Sequence, residues 1–216
     1  IKGVPKDTII CKVDGQLTDL SSTLNKNCEL QFMDAKSKDG HSVLLHSTAH
    51  LMAQAVKRLF PKTKVTIGPF LENRFYYDFD VNSPFTEDDL LEIENEMMKI
   101  SEENLEISHQ VKSRNEALAF FEKIDESYKV EIINDLDKDE TLKVYSQGEF
   151  TDLCRGPHVH STGQIKHFKI LSSSAAYWRG DEKNQTLQRV YGTSFQNSKD
   201  LKKYLQMLEE QKKRDH

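Results

Sequence analysis

The sequence predicts an α+β fold, because helical and strand-like segments interleave along the chain and the strand-like segments are not consecutive. Short strand-like runs occupy the first 33 residues, two long stretches then carry apolar residues at helical spacing, and more strand-like runs follow. The chain has 216 residues, of which 37% are hydrophobic and 30% are charged. This balance is typical of a folded globular chain and excludes a disordered one.

The opening of the chain predicts a small β-rich unit. Strands are expected at residues 9–13, 17–20 and 28–33. Asp14-Gly15 lies between the first two, and this dipeptide between alternating apolar residues indicates a tight hairpin. The polar stretch 35–40 is expected to be a loop at a domain boundary. Residues 1–36 are therefore assigned to a first domain and residues 40–196 to a second.

Helices are predicted from apolar spacing and from capping residues. Residues 42–60 form the first, which Pro61 ends. Thr86 with Asp89 resembles a capping box, and Ser113 with Glu116 forms a second one, which opens a helix through residue 121. The helix that Thr86 opens has one apolar face, made of Leu90, Ile93, Met97 and Ile100. A charged helix at 198–213 closes the chain, and residues 197–216 are assigned to a linker.

Strands are predicted at 65–67 and 75–79, around a Gly68-Pro69 turn, and later at four further runs. Those runs are residues 142–145, 168–171, 175–178 and 187–191.

Composition excludes several classes of protein. No apolar run approaches the ~20 residues of a membrane span, and the first residues contain no signal-peptide core. Three scattered cysteines argue against a disulfide framework and favour a reducing, cytoplasmic compartment. The net charge of -5 argues against a free-standing nucleic-acid binder, because Lys and Arg contacts to phosphate dominate such affinity.

The first motif with chemical potential is His46-Ser47-Thr48-Ala49-His50. On a helix, residues four apart share a face, so His46 and His50 point the same way and can share a water, a metal ion or a substrate group. The alternative is two ordinary histidines on a helix face. The zinc-protease signature is excluded, because no Glu follows the first His.

The second motif is Cys154-Arg155-Gly156-Pro157-His158. Gly156 and Pro157 exclude a regular helix, but a tight loop can bring Cys154 and His158 to one side. The alternative is a small buried cysteine beside a turn histidine. Together, His46, His50, Cys154 and His158 could either bind zinc or act as acids and bases.

Further candidates surround these motifs. In a strand, Asp152 would share a face with Cys154 and could orient an imidazole or bind an ammonium group. Gly68 and Tyr77 could line a pocket, although Tyr77 could equally be a core residue. Nothing in its local sequence distinguishes Lys129.

Five blocks of sequence resemble the editing domain of bacterial or organellar threonyl-tRNA synthetases, in the same order and at similar spacing. They are HSTAHLMAQAVKRLFP, VTIGPFLENRFYYDFD, DLCRGPHVHSTG, FKILSSSAAYWRGD and LQRVYGTSF. The resemblance extends from about residue 40 to the end. Residues 1–36 resemble the later part of the ubiquitin-like TGS domain, a β-grasp domain whose opening strands are expected to be absent. The last helix resembles the linker to an aminoacylation domain, which is also expected to be absent.

The resemblance implies a fold: a partial β-grasp segment, then the second additional domain of threonyl- and alanyl-tRNA synthetases, with a mixed sheet and packed helices. It also implies a function, namely hydrolysis of serine wrongly esterified to threonine tRNA. The implied catalytic residues are His46, His50, Lys129, Asp152, Cys154 and His158, and the implied substrate-binding residues are Gly68 and Tyr77.

The resemblance further implies partners and cofactors. Partners would be mischarged threonine tRNA and the rest of the synthetase, which is expected to be a homodimer in the cytoplasm or an organellar matrix or stroma. No membrane partner and no cofactor for editing are expected, and ATP and zinc belong only to the aminoacylation domain. One departure is His160, where the family often has Pro.

The implied mechanism is attack of water on the ester, with an imidazole or a substrate group relaying its proton. Lys129 would stabilise the developing negative charge, and Asp152 would hold the amino group or orient a histidine. A covalent intermediate on Cys154 is an alternative within this reading. Two other functions remain open: a deacylase with zinc on His46, His50, Cys154 and His158, and a non-catalytic tRNA-positioning module.

Overall fold

The computed structural model describes residues 1–216 and confirms the α+β class. It contains five α-helices, eleven strands and two 3₁₀ turns, at Thr162–Gln164 and Trp178–Gly180. The helices are α1 (Lys38–Leu59), α2 (Glu87–Glu103), α3 (Arg114–Lys123), α4 (Ser127–Asp135) and α5 (Ser198–Arg214). The strands are β1 (Ile10–Val13), β2 (Gln16–Thr18), β3 (Leu30–Met33), β4 (Lys64–Val65), β5 (Phe70–Leu71), β6 (Arg74–Asp80), β7 (Ile107–Lys112), β8 (Leu142–Gln147), β9 (Phe150–Leu153), β10 (His167–Tyr177) and β11 (Thr186–Phe195).

The first three strands form an antiparallel sheet in the order β2-β1-β3. The predicted hairpin is confirmed: Asp14 and Gly15 have φ of 49° and 83°, as a type I′ turn requires at both central positions. The sheet does not have a core of its own. Ile10 and Met33 belong to the same buried apolar cluster as residues of α1 and β6. The N-terminal segment therefore packs as part of the main body.

Helix α1 begins earlier than the sequence pattern predicts. Ser37 is its N-cap and accepts a hydrogen bond from the Gly40 amide, so the predicted loop 35–40 is wrong beyond residue 37. The helix can begin here because residue 40 is glycine. A Cβ at this position would lie 1.8 Å from the Asp34 carbonyl oxygen. The predicted end before Pro61 is confirmed.

The main sheet has the order β10-β11-β6-β4, and β5 pairs with β6. All of its strand pairings are antiparallel, so the expected mixed sheet is wrong. Helix α1 packs against β6 and β11 and also against α2. Phe75, Tyr77 and Phe79 alternate along β6 and are completely buried. Two of the predicted runs, 168–171 and 175–178, prove to be parts of the single strand β10. Its three serines, Ser172 to Ser174, interrupt the apolar pattern, and its register against β11 shifts at this point.

A third sheet, in the order β7-β8-β9, carries the second motif. Two of its three strands, β7 and β9, have no counterpart among the predicted runs. Strand β7 is mostly exposed, and even Val111 is 63% accessible, so its sequence has no clear inward face. Strand β9 has only four residues.

The predicted caps are confirmed to different degrees. Thr86 and Asp89 form both hydrogen bonds of a capping box at the start of α2. Ser113 accepts from the Glu116 amide at the start of α3, which is one half of a box. Helix α2 buries Ile93, Met97 and Ile100, as its predicted apolar face requires.

None of the five helices combines the length and the apolar character needed to cross a bilayer. The assignment of residues 1–36 to a β-grasp domain, and the boundaries at 40, 196 and 197, stay predictions.

We expect Ile93→Ala to lower the free energy of unfolding by about 2–5 kcal/mol, because Ile93 is fully buried and its removal leaves a cavity. Leu91→Ala is the matched control on the same helix, since Leu91 is 56% exposed and its loss should cost within about 0.5 kcal/mol. Urea unfolding of both variants measures the difference. Equal effects would show that α2 does not pack as described.

Candidate active site

Helix α1 and the turn after β9 bring the two sequence motifs together. His46 and His50 lie one turn apart on the same face of α1, and their rings are 5.1 Å apart. Cys154 follows the last residue of β9, and the chain then turns so that the His158 ring lies 4.5 Å from the His46 ring and 4.3 Å from the His50 ring. The predicted convergence of these four side chains is therefore confirmed.

The thiol of Cys154 lies between two of the imidazoles. Its Sγ is 3.5 Å from His46 Nε2 and 3.2 Å from His158 Nε2. The Gly156 amide also donates to this sulfur, at 3.3 Å. One nitrogen from each of the three histidines and the sulfur lie within 4.8 Å of one another. We call these four residues the His/Cys cluster.

Ser47 holds the His158 ring in place. Its Oγ accepts from the Val159 amide at 3.1 Å and pairs with His158 Nδ1 at 2.9 Å. Ser47 was not among the predicted site residues. Its position next to His46, inside the first motif, was the only signal that could have identified it.

A buried ion pair lies against the His/Cys cluster. Lys129 Nζ, on α4, is 2.6 Å from Asp152 Oδ1 on β9, and both side chains are at most 3% exposed. The other carboxylate oxygen, Oδ2, accepts from the Tyr77 hydroxyl at 2.8 Å and lies 3.6 Å from His50 Nε2. Asp152 therefore connects the ion pair to one imidazole of the cluster.

Three polar atoms surround the Lys129 ammonium. It donates to the Thr66 carbonyl oxygen and, at 3.2 Å, to the Tyr77 hydroxyl, and it forms the ion pair with Asp152 Oδ1. Asp152 Oδ1 has no hydrogen-bond partner, so the contact between Lys129 and Asp152 is one of charge. Thr66 takes part through its backbone, which its side chain could not reveal in the sequence.

Gly68 acts on the site through Tyr77. A Cβ at residue 68 would lie 2.3 Å from the nearest carbon of the Tyr77 ring, so only glycine lets the chain pass over this ring. Tyr77 itself is completely buried. The two residues proposed to line the pocket thus form one packed unit under the ion pair.

Burial keeps the His/Cys cluster uncharged at neutral pH. Desolvation lowers the pKa of His46 to about 4 and lowers the pKa of His50 and of His158 well below the ordinary value of 6.5. Desolvation also raises the pKa of the Cys154 thiol to about 12. The cluster at pH 7 therefore presents three neutral imidazoles and a protonated thiol. His46 is the least buried of the three rings.

The donor types of the His/Cys cluster are those that zinc binds. Tetrahedral zinc holds nitrogen and sulfur donors about 3.3–3.6 Å apart; the two separations from Cys154 Sγ are 3.5 and 3.2 Å, whereas the four donors together spread over up to 4.8 Å. An ion held by all four residues would be a closed site, because catalytic zinc keeps one position open for water. A catalytic ion would therefore use only three of them.

His160 does not join the cluster. Its ring is exposed, and its Nδ1 lies 2.6 Å from Gln164 Oε1. The departure from the family pattern at this position leaves the four clustered side chains unchanged.

Known proteins are similar to this chain over the residues that form the site. Residues 142–191 match the family described as the threonyl and alanyl tRNA synthetase second additional domain. The chain is 54% identical to a threonine–tRNA ligase of Pelobacter propionicus over 99% of its length, and 53% identical to one of Symbiobacterium thermophilum over 98%.

The chain matches the editing region of threonyl-tRNA synthetases. It spans only 34% and 32% of the lengths of those two relatives, and it spans 34% of the ligase of Alkalilimnicola ehrlichii, to which it is 50% identical. Within this editing region, the segment that matches the family contains Asp152, Cys154 and His158. His46 and His50 lie before that segment, in the part of the chain that is matched by the ligases but not by the family.

We expect acid to destabilise the protein through His46. Between pH 6.5 and about 4 the unfolded chain binds a proton at His46 that the folded chain does not, so stability is complete above pH 6.5 and falls as the pH drops toward 4. The shift corresponds to roughly 3 kcal/mol.

Urea unfolding at several pH values, with chelator present, measures this effect. His46→Asn should flatten the decline, whereas His160→Asn, which removes an exposed ring outside the cluster, should reproduce the wild-type curve. An unchanged slope in His46→Asn would contradict the prediction.

Proposed function

We propose that this chain is a proofreading module that hydrolyses the ester of serine attached to threonine tRNA. The observation that carries the proposal is the convergence of three neutral imidazoles and a thiol next to a buried Lys–Asp pair, in a chain that matches an editing region. Such a set can accept and relay a proton at neutral pH, and an ester needs little more activation than that.

The chemistry of serine and threonine explains why a threonine–tRNA ligase would need a hydrolytic site in addition to its aminoacylation site. Serine lacks one methyl group of threonine, and a pocket cannot exclude a smaller analogue strongly, because a missing methylene is worth only ~1–3 kcal/mol. A hydrolytic site can instead exclude the larger amino acid. It admits serine and rejects threonine because the extra methyl group would clash.

Water is the proposed nucleophile, and His46 is the proposed proton acceptor or relay among the protein groups. Its ring is the most accessible of the three, and its lowered pKa leaves a free nitrogen at pH 7. A hydroxyl group of the substrate could share this task. His50 and His158 would form the inner wall of the site, with His158 oriented by Ser47.

Lys129 and Asp152 are better suited to positioning than to direct contact with the ester. The charge of Lys129 is already paired with Asp152, and two of its N–H groups already donate, to the Thr66 carbonyl oxygen and the Tyr77 hydroxyl, so less of it is left to stabilise a developing negative charge. The same contacts hold Asp152 beside His50, where it can orient that ring. We therefore modify the role that the resemblance implies for Lys129.

The protonated thiol of Cys154 favours water over a covalent route. The thiolate is the reactive form of cysteine, and burial raises the pKa of Cys154 to about 12, so very little thiolate is present at pH 7. Its close contacts with His46 and His158 support a structural part in the cluster.

The wider context is also part of the proposal. The chain would belong to a threonine–tRNA ligase in which ATP and a separate zinc ion serve a distinct aminoacylation domain, and which works as a cytoplasmic or organellar homodimer. Partners would be mischarged threonine tRNA and the rest of that synthetase, with no membrane involved.

A zinc-dependent deacylase is the second candidate, favoured by the clustering of His46, His50, Cys154 and His158, three of which would hold the ion. Zinc would supply an activated water there. The residues of the chain would hold the ion, and Asp152 would orient His50 in either case.

The decisive test compares hydrolysis of seryl- and threonyl-charged threonine tRNA, with and without a chelator, by this chain and by the full-length protein. Selective loss of serine that is indifferent to chelator would support proofreading by the side chains alone. Loss abolished by chelator and restored by zinc would move the site to the second candidate. If neither protein hydrolyses the ester above background, the proposal is wrong and a tRNA-positioning module remains.

Two variants test the roles within the site. We expect Cys154→Ala to hydrolyse seryl-tRNA within about threefold of the wild-type rate, because no covalent intermediate is needed. His46→Ala should lose about 10²–10⁴-fold, the usual contribution of a general base. Cys28→Ala serves as a matched control for the cysteine change. Complete loss of turnover in a folded Cys154→Ala would contradict the water mechanism.

A further inference from the structure

A carboxylate from the N-terminal sheet reaches the turn that carries Cys154 and His158. Asp19 follows β2, yet its side chain contacts the third sheet and not its own, and it is only 7% exposed. Its Oδ1 accepts from the His158 amide at 2.7 Å. Its Oδ2 accepts from the Tyr145 hydroxyl at 2.6 Å and lies 3.2 Å from His109 Nδ1. Neither the sequence pattern nor the proposed mechanism assigns Asp19 a function.

Two of these contacts, with the His158 amide and the Tyr145 hydroxyl, hold part of the His/Cys cluster in place. The bond to the His158 amide holds the backbone from which the imidazole extends. The bond to Tyr145 holds the ring on which the turn rests, since the Tyr145 ring lies 4.5 Å from the His158 ring. The turn and the tyrosine fit closely, because a Cβ at Gly156 would be 2.0 Å from the Tyr145 oxygen.

The charge of Asp19 is suited to this task. A carboxylate has only acceptors, and here they accept from an amide and a hydroxyl, with an imidazole nitrogen 3.2 Å away. Hydrogen bonds to an ionised acceptor are shorter and stronger than neutral ones.

We propose that Asp19 is a positioning residue for ester hydrolysis, so that the N-terminal segment completes the editing site. The inference rests on the proposed function, because positioning is defined here by the reaction it serves. Asp19 acts through His158 and Tyr145 and does not touch the substrate. Removing the N-terminal segment would therefore impair hydrolysis although none of the proposed catalytic residues lies in it.

Asp19→Asn tests the proposal with little change in shape. The amide removes the negative charge and one of the two acceptor oxygens, so the contacts that hold the turn should weaken and the turn should shift. A displacement of about 1 Å can cost about 100-fold in rate, and we expect kcat on seryl-tRNA to fall roughly 10- to 100-fold with KM nearly unchanged. The rate at which iodoacetamide alkylates Cys154, read by peptide mass spectrometry, should rise, because thiol reactivity follows exposure.

Asp14→Asn is the matched control. Asp14 lies in the same sheet, and its carboxylate also accepts from a backbone amide, that of Glu29, but it is exposed. This variant should keep both kcat and the alkylation rate of Cys154. Tyr145→Phe removes only the hydroxyl that donates to Asp19, and it should lower kcat by a smaller factor. The two losses should be less than multiplicative in the double variant, because they disturb one network.

The outcomes separate this inference from the proposed function. A wild-type protein without selective hydrolysis would refute the proposed function and this inference with it. An active wild type with an equally active Asp19→Asn would refute only the inference. A loss that appears in KM, with the reactivity of Cys154 unchanged, would also refute it. If Asp19→Asn does not fold, Tyr145→Phe decides alone: a lower kcat supports the inference, and an unchanged kcat overturns it.

Discussion

The contact between Lys129 and Asp152 constrains the rest of the molecule most strongly. Both side chains are almost fully buried, and a buried charge without a partner is far more costly than a buried pair. The pair connects α4 to β9, and its further bonds reach Tyr77 on β6 and the backbone of Thr66. These elements cannot move apart without leaving a charge uncompensated, so the main sheet and the third sheet keep a fixed relation, and the His/Cys cluster is assembled between them.

Burial links this framework to chemistry. The environment that makes the ion pair necessary also desolvates the histidines and the thiol, which removes their charge at neutral pH. A cluster of protonated imidazoles would repel itself and could not accept a proton, whereas neutral rings pack closely and keep a free nitrogen. The same low polarity thus serves both packing and proton transfer, and it leaves the thiol unreactive beside groups that would otherwise activate it.

Much of this arrangement was predictable from the sequence, and the exceptions have physical reasons. The spacing of His46 and His50 predicts a shared helix face, and Asp14-Gly15 predicts its hairpin, because both are local geometric effects. Lys129 was recognisable only by resemblance, since its partners lie 23 residues or more away in the chain. Asp19 was missed for the same reason: its contacts with Tyr145 and His158 depend on how separate sheets meet.

Strand β10 lies at the open edge of the main sheet, where unpaired backbone groups could recruit a strand from another molecule. Its middle contains the run Ser172 to Ser174, and its register is irregular just before that run. Polar residues and a local irregularity both make an edge a poor template for β-sheet growth. The serines that divide this strand into two predicted runs would therefore also protect the protein against aggregation when it is concentrated or newly synthesised.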